Sequence, residues 1–239
     1  MTQKLAVIVI HGLGKQHKDF ASAFIKDLHK TFSRLSGEKN PEARIVIKPV
    51  WWASVFADRE EKLKQKLVGA PYNLRYTELR EFMIHYLTDA VAYQPVEGGD
   101  QNYEAVHRTI SKQLNQLCTE AGTDAPLCVI SHSLRYTTFD KPIQVPSEGF
   151  SAKYPDIPGE WINFYDKDDV LGYPLKSVHP EYDKAVSEDR DVNVGTLIDS
   201  WNPLCHNRYL TSSKVITPIA EGLHKLWQQV NVNALTVHK

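Results

Sequence analysis

The chain has 239 residues, of which 42% are hydrophobic and 24% are charged, and this balance excludes an intrinsically disordered protein. Its 28 basic and 29 acidic side chains nearly cancel, which argues against a general nucleic-acid binder. The length fits one domain over residues 1–239, with a core large enough to need no cross-links.

The first fifty residues predict a strand, a helix and a second strand. Leu5–Ile10 is a continuous apolar run, typical of a strand buried on both faces and too short to cross a membrane. Apolar residues then recur at helical spacing from Asp19 to Leu35, and Gly37 suits a C-cap. Ala43–Val50 follows as a strand, so we expect a βαβ unit with parallel strands.

The rest of the chain continues this alternation. Helical patterns cover Asp58–Val68, Tyr76–Ala92, Tyr103–Leu117 and Ser213–Val230, with Pro218 expected in the first turn, and strand patterns cover Pro126–Ile130 and Trp161–Tyr165. The alternation predicts an α/β fold with a mostly parallel central sheet and helices on both faces. We expect residues 57–95 to form either a helical cap over a functional site at the sheet edge or an ordinary crossover with extra packing.

A candidate nucleophile follows one of the predicted strands. In VISHSL, an apolar strand ends in Ser131, His132 and Ser133, and a strand-to-helix turn can hold a serine clear of the sheet edge. Such a turn needs small residues two positions before and two positions after the serine. Ser131 meets the first requirement and Arg135 does not meet the second. The hexapeptide alone is a weak signal, because serine is common at strand ends.

The turn after the first strand is rich in glycine. The sequence His11-Gly12-Leu13-Gly14 can aim backbone N–H groups at a developing oxyanion, with the N–H of Leu134 as a second donor. A phosphate-binding loop is the competing interpretation. The spacings G-x-x-x-x-G-K-[ST] and G-x-G-x-x-G are both absent, which disfavours it.

Three aspartates follow the strand Trp161–Tyr165, where a sheet-based site would place the acid that orients a histidine. We prefer Asp168, because Asp-x-Val before a proline-containing turn is the more hydrolase-like arrangement. Asp169 ranks second and Asp166 third.

Four histidines follow these aspartates and are candidates for the general base. His206 is preferred because it lies in a loop that enters the final helix, from which an imidazole can reach back over the sheet edge. The alternatives are His179 in a charged loop, His224 within the last helix and His238 beside the terminus.

Taken in order, the segments VIVIHGLG, VISHSL, WINFYDKDDVLGYP and PLCHNRY resemble the α/β-hydrolase superfamily, and most closely its bacterial serine-hydrolase branch with an H-G-x-G start and an S-H-S-L elbow. The resemblance implies a triad of Ser133, His206 and Asp168, with no metal and no organic cofactor. It also implies that the N–H groups of Leu13 and Leu134 form the oxyanion hole.

The implied activity is esterase-like or lipase-like hydrolysis of a carboxylic ester or thioester. The substrate would be a small or lipid-like acyl compound, and neither a nucleic acid nor an integral membrane segment is expected. His11, Gly12 and Trp51 are the candidate substrate-binding residues, although aromatic residues at a strand end more often belong to the core. Three cysteines cannot form a closed disulfide framework, which predicts a reducing, cytoplasmic location, and the absence of a CxxC pair disfavours a zinc knuckle.

The chain departs from the superfamily pattern directly after the elbow, where a helix is expected. Leu134 instead runs into Arg135 and a stretch to Ile143 that resembles the next strand. Either a segment is absent between Leu134 and Arg135, or the elbow is lost and the protein is a non-catalytic α/β-hydrolase-like binding or scaffold module. A nucleotide-binding α/β protein is a weaker third possibility.

Overall fold

The computed structural model describes residues 2–12, 16–67, 74–77, 79–81, 102–132, 153–195 and 203–236. The strands are β1 (Leu5–Ile10), β2 (Ile45–Val50), β3 (Leu127–Ser131), β4 (Ile162–Tyr165) and β5 (Glu188–Asp191). The α-helices with complete bounds are α1 (Ser22–Ser36), α2 (Ala57–Leu67), α3 (Asn102–Ala121), α4 (Pro180–Ala185) and α5 (Ser213–Thr236). Short 3₁₀ helices cover Pro41–Ala43, Ala53–Val55 and Pro203–Thr211.

A parallel sheet in the order β2-β1-β3 forms the centre of the fold. Leu5 lies opposite Ile45 of β2, and Ala6 lies opposite Leu127 of β3. The predicted strand–helix–strand unit with parallel strands is therefore confirmed. Because the sheet is parallel, the carboxyl ends of its strands meet at one edge.

Helices cover both faces of this sheet, which explains why every residue of β1 is buried. The odd-numbered residues of β1, such as Val7, pack with residues of α1 and α5, including Phe24 and Leu223. The even-numbered residues, such as Ile8, pack with residues of α3, including Val106. The protein is thus a mixed α/β fold with a small parallel sheet.

β4 and β5 form a second, two-stranded parallel sheet. The carboxylate of Asp189 on β5 anchors this sheet by accepting hydrogen bonds from the side-chain amide of Asn163 at 2.7 Å and from the N–H groups of Leu175 and Lys176. Beyond β5, Val192 and Val194 pack with residues of the last 3₁₀ helix and of α5. The second sheet is therefore packed, through the residues after β5, against the chain segment that carries His206.

The helix boundaries agree with most of the predictions. Gly37 closes α1 in a left-handed conformation, with φ 75° and its N–H bonded to the Ser33 carbonyl. Pro218 is the sixth residue of α5 and lies inside the helix, so its expected placement in the first turn is wrong. Most of the predicted helix Tyr76–Ala92, and much of the candidate cap at 57–95, lies outside the described residues. None of the described helices has the length and apolarity needed to cross a membrane.

Candidate active site

Two buried histidines stand side by side at the carboxyl edge of the central sheet. His11 follows β1, and His132 follows Ser131, the last residue of β3. The N–H of His132 donates to the Ile10 carbonyl at 3.0 Å, which continues the pairing of β1 and β3 beyond the end of β3. The residue before Ser133 is therefore fixed at the sheet edge.

His206 forms a buried hydrogen bond with Asp169. Its Nδ1 lies 2.6 Å from Oδ2 of Asp169, and both side chains are almost completely shielded from solvent. His206 lies on the 3₁₀ helix Pro203–Thr211, whereas Asp169 follows β4. Since an ionised carboxylate can only accept, Nδ1 carries the proton in this contact.

The other ring nitrogen of His206 is free to act as a base. Its Nε2 is buried and has no hydrogen-bond partner among the residues that the structure describes. With the proton on Nδ1, Nε2 presents a lone pair. A buried polar atom without a partner is costly and points to a partner outside the described residues or to a catalytic role.

Three donors hold the Asp169 carboxylate. Oδ2 accepts from Nδ1 of His206 and from the hydroxyl of Tyr209 at 3.1 Å, and Oδ1 accepts from the N–H of Leu171 at 3.0 Å. Burial by itself raises the pKa of Asp169, but the hydrogen bond and charge of His206, together with the other donors, outweigh burial and lower it. Asp169 therefore stays ionised at neutral pH and keeps its orienting charge.

The turn geometry explains why Asp169, rather than Asp168, meets the base. Asp166 and Asp169 each begin a turn, and the carboxylate of each accepts from the N–H two residues later. Both side chains are buried, whereas Asp168 lies between them and is exposed. The sequence ranking placed Asp168 first; the contact with His206 instead belongs to the second-ranked Asp169. Asp166 accepts from the N–H of Val194 at 2.7 Å and so joins two segments of the chain.

His132 holds the backbone of His206, the candidate base, through a hydrogen bond. Its Nε2 lies 2.7 Å from the carbonyl oxygen of His206, and since a carbonyl only accepts, this nitrogen is the donor. The two imidazole rings pack with their centroids 4.6 Å apart. Burial, and then the nearby His206, lower the pKa of His132 to about 3, so this ring stays neutral.

Both ring nitrogens of His11 contact backbone groups of the protein. Its Nε2 accepts from the N–H groups of Trp52 and Ala53, at 3.0 and 3.1 Å, and its Nδ1 lies 2.8 Å from the Gly12 carbonyl. The Trp52 indole stacks on the imidazole and donates to the His11 carbonyl. The His11 ring, a candidate for substrate binding, is thus engaged with the chain that follows β2.

Two further candidates for substrate binding also contact the protein itself. The Trp51 indole N–H donates to the Gln16 carbonyl at 2.9 Å. Gly12 is buried, and its carbonyl is the group that faces the His11 ring. Ser133 and the two candidate oxyanion donors, Leu13 and Leu134, lie outside the described residues.

Three residues of the site escaped the sequence reasoning, namely His132, Gly172 and Tyr209. Tyr209 had a usable signal: it follows His206 by three residues, and side chains three apart lie on the same side of a 3₁₀ helix. Gly172 is required by a close approach, because a Cβ there would lie 2.9 Å from the Tyr209 hydroxyl and 3.0 Å from Oδ2 of Asp169. Nothing in the sequence distinguishes this glycine from an ordinary turn residue.

Among the described residues, no three His, Cys, Asp or Glu side chains converge as a metal site. Comparison of the chain with known protein families, curated proteins and solved structures found no match.

Proposed function

We propose that the protein is a serine hydrolase with an α/β-hydrolase-like fold, which cleaves a carboxylic ester or thioester through an acyl-enzyme. The main support for this proposal is the buried His206, whose Nδ1 is hydrogen-bonded to Asp169 and whose Nε2 has no hydrogen-bond partner among the described residues. Its ring packs on His132, the residue directly before Ser133 in the chain. This arrangement supports a triad of Ser133, His206 and Asp169.

In the proposed reaction, Ser133 Oγ attacks the acyl carbon while Nε2 of His206 takes its proton. The imidazolium passes this proton to the departing alkoxide or thiolate, and the acyl group remains on Ser133. A water molecule then gives a proton to the same nitrogen as its oxygen attacks the acyl carbon. The imidazolium returns this proton to Ser133 Oγ as the acyl–oxygen bond breaks, which releases the carboxylic acid and restores Ser133. Asp169 holds the Nδ1 proton and stabilises the positive imidazolium in both halves of the reaction.

The remaining parts of the proposal come from the resemblance. The N–H groups of Leu13 and Leu134 would stabilise the oxyanion, and the substrate would be a small or lipid-like acyl compound. We place the protein in the cytoplasm because its three cysteines cannot form a closed set of disulfides, which fits a reducing compartment.

The test is covalent labelling with a fluorophosphonate probe, followed by mass-spectrometric identification of the labelled peptide. We expect one label on Ser133 in the wild type and none in Ser133→Ala. Ser151→Ala, which alters another serine, is the control and should label like the wild type.

The same peptide reports on chain continuity, because it reveals whether Leu134 is bonded to Arg135. Equal labelling of the wild type and Ser133→Ala would refute the assignment. Absence of labelling, together with absence of p-nitrophenyl ester turnover, would favour the non-catalytic binding module instead.

A further inference from the structure

Tyr209 connects the acid of the proposed triad to the end of β4. Its hydroxyl lies 2.8 Å from the backbone nitrogen of Asp166, the first residue after β4, and 3.1 Å from Oδ2 of Asp169. The side chain is buried, with 7% of its surface exposed. A single hydroxyl therefore joins the main chain at the strand end to the carboxylate that binds His206.

The direction of each hydrogen bond follows from the groups involved. A backbone N–H can only donate, so the Tyr209 oxygen accepts from Asp166. The hydroxyl has one proton, and this proton is left for Oδ2 of Asp169. Burial and the neighbouring carboxylate raise the pKa of Tyr209 above its usual range, so the phenol keeps this proton.

Tyr209 and His206 approach the same carboxylate oxygen from the same helix. Their spacing of three residues on the 3₁₀ helix Pro203–Thr211 places both side chains on one side. Oδ2 thus receives two donors from this helix, while Oδ1 is held by the N–H of Leu171 in the aspartate's own turn. With both oxygens engaged, rotation of the Asp169 carboxylate would break at least one hydrogen bond.

We propose that Tyr209 is a positioning residue that fixes the rotation of the Asp169 carboxylate and thereby keeps the His206 proton on Nδ1. This proposal deepens, and for its kinetic consequences rests on, the serine-hydrolase assignment. Its structural consequence, the single tautomer of His206, does not depend on any catalytic activity.

The tautomer can be read by NMR of protein labelled with ¹⁵N-histidine, because protonated and unprotonated ring nitrogens differ widely in chemical shift. We expect His206 to be protonated only at Nδ1 in the wild type, and to exchange between both tautomers in Tyr209→Phe. His206→Gln identifies the resonance. In the kinetic assay, Tyr209→Phe should lower kcat for a p-nitrophenyl ester about ten-fold, with KM changed by less than about two-fold.

Tyr173→Phe is the matched control. Tyr173 lies in the same region after β4, and its hydroxyl donates to the Val170 carbonyl rather than to the Asp169 carboxylate. Its replacement also removes one phenolic hydroxyl and one hydrogen bond, and it should leave the His206 tautomer and kcat unchanged.

Incorporation of 3-fluorotyrosine at position 209 keeps the ring and the hydroxyl, and covers the case in which Tyr209→Phe fails to fold. The fluorinated phenol is a stronger donor to Oδ2, so it should draw charge from the contact with His206 and move the Nδ1 proton resonance upfield. The same residue at position 173 should not move it.

An unchanged His206 tautomer in folded Tyr209→Phe, or an unmoved Nδ1 resonance with 3-fluorotyrosine at position 209, would overturn the proposal. If Ser133 does not label but Tyr209→Phe still mixes the tautomers, the positioning role stands and the hydrolase assignment fails. The two proposals can therefore fail separately.

Discussion

Asp169 and His206 are 37 residues apart in the chain, yet Oδ2 of Asp169 and Nδ1 of His206 lie 2.6 Å apart. The two residues come from different elements, the turns after β4 and a 3₁₀ helix that leads into α5. Each is held independently, Asp169 by the N–H of Leu171 and His206 through its carbonyl by His132. The contact is thus built from parts that can be altered one at a time.

The choice between the two neighbouring aspartates gives the sharpest mutational test. Asp169→Asn should lower kcat/KM by about three to four orders of magnitude, because an amide can stabilise the wrong His206 tautomer and cannot stabilise the imidazolium. Asp168→Asn, which alters an exposed side chain, should change kcat/KM by less than about two-fold. Ester hydrolysis by the two purified variants checks this, and equal losses would contradict the assignment of Asp169 as the acid.

Asp169 should also contribute to stability in a pH-dependent way. Its pKa in the folded protein is lowered below the ordinary value of 3.8, so the unfolded chain binds its proton more readily. The contribution is complete above the ordinary pKa and is lost as the pH falls through the lower, folded value. Urea unfolding between pH 2 and 6 should show that Asp169→Asn is less stable than the wild type at pH 6, and that the difference shrinks below about pH 4. A difference that stays constant over this range would contradict the prediction.

His132 should also make the protein less stable on acidification, but over a higher pH range than Asp169. Its pKa falls from 6.5 to about 3 on folding, so protons bind preferentially to the unfolded state between these values. The contribution of neutral His132 to the free energy of unfolding is complete above pH 6.5. It should be lost on acidification, with a slope of up to about 1.4 kcal/mol per pH unit. His132→Phe should flatten the slope, as measured by urea unfolding from pH 4 to 8.

Above pH 7, His132→Phe should be less stable than the wild type by about 1–3 kcal/mol, because the buried His206 carbonyl loses its donor. His132→Gln keeps a donor and should lose less at this pH, while it flattens the slope equally. A wild-type slope in both variants would show that His132 is not the titrating group.

Replacement of Gly172 by alanine should destabilise the protein, because the site has no room for a methyl group. In Gly172→Ala, the new Cβ would lie 2.9 Å from the Tyr209 hydroxyl and 3.0 Å from Oδ2 of Asp169, and we expect a loss of about 1–3 kcal/mol in the free energy of unfolding. Gly222→Ala is the control, because its Cβ has no neighbour within 4 Å and it lies in α5, where alanine should stabilise the helix by up to about 1 kcal/mol. Thermal unfolding of both variants measures the contrast, and equal stability would contradict the close approach.

The sequence predicted the central sheet well because hydrophobic burial determines it directly. Leu5–Ile10 is buried on both faces, so its uninterrupted apolar run marks the whole strand. β5 was missed because it is entirely charged (EDRD) and is fixed by polar contacts such as that between Asp189 and Asn163. A pattern of hydrophobicity carries no information on such a strand.

The sequence predicts a histidine and an aspartate at the candidate site, but it does not identify which aspartate contacts the histidine. His206 was favoured because its loop enters the last helix, and it is indeed bonded to a carboxylate after β4. Which of the three aspartates meets His206 is decided by which of them begin turns. This is a property of local hydrogen bonds that the pattern Asp-x-Val does not encode. Ser133 and the oxyanion donors remain predictions.

The 3₁₀ helix Pro203–Thr211 also sets a limit on length variation in this segment. With three residues per turn, one inserted residue between His206 and Tyr209 would rotate the second side chain by about 120° relative to the first. The two groups could then no longer reach the same oxygen of Asp169. Connecting segments usually tolerate insertions, but natural variation in this one should be confined to substitutions, with insertions and deletions excluded between these two positions.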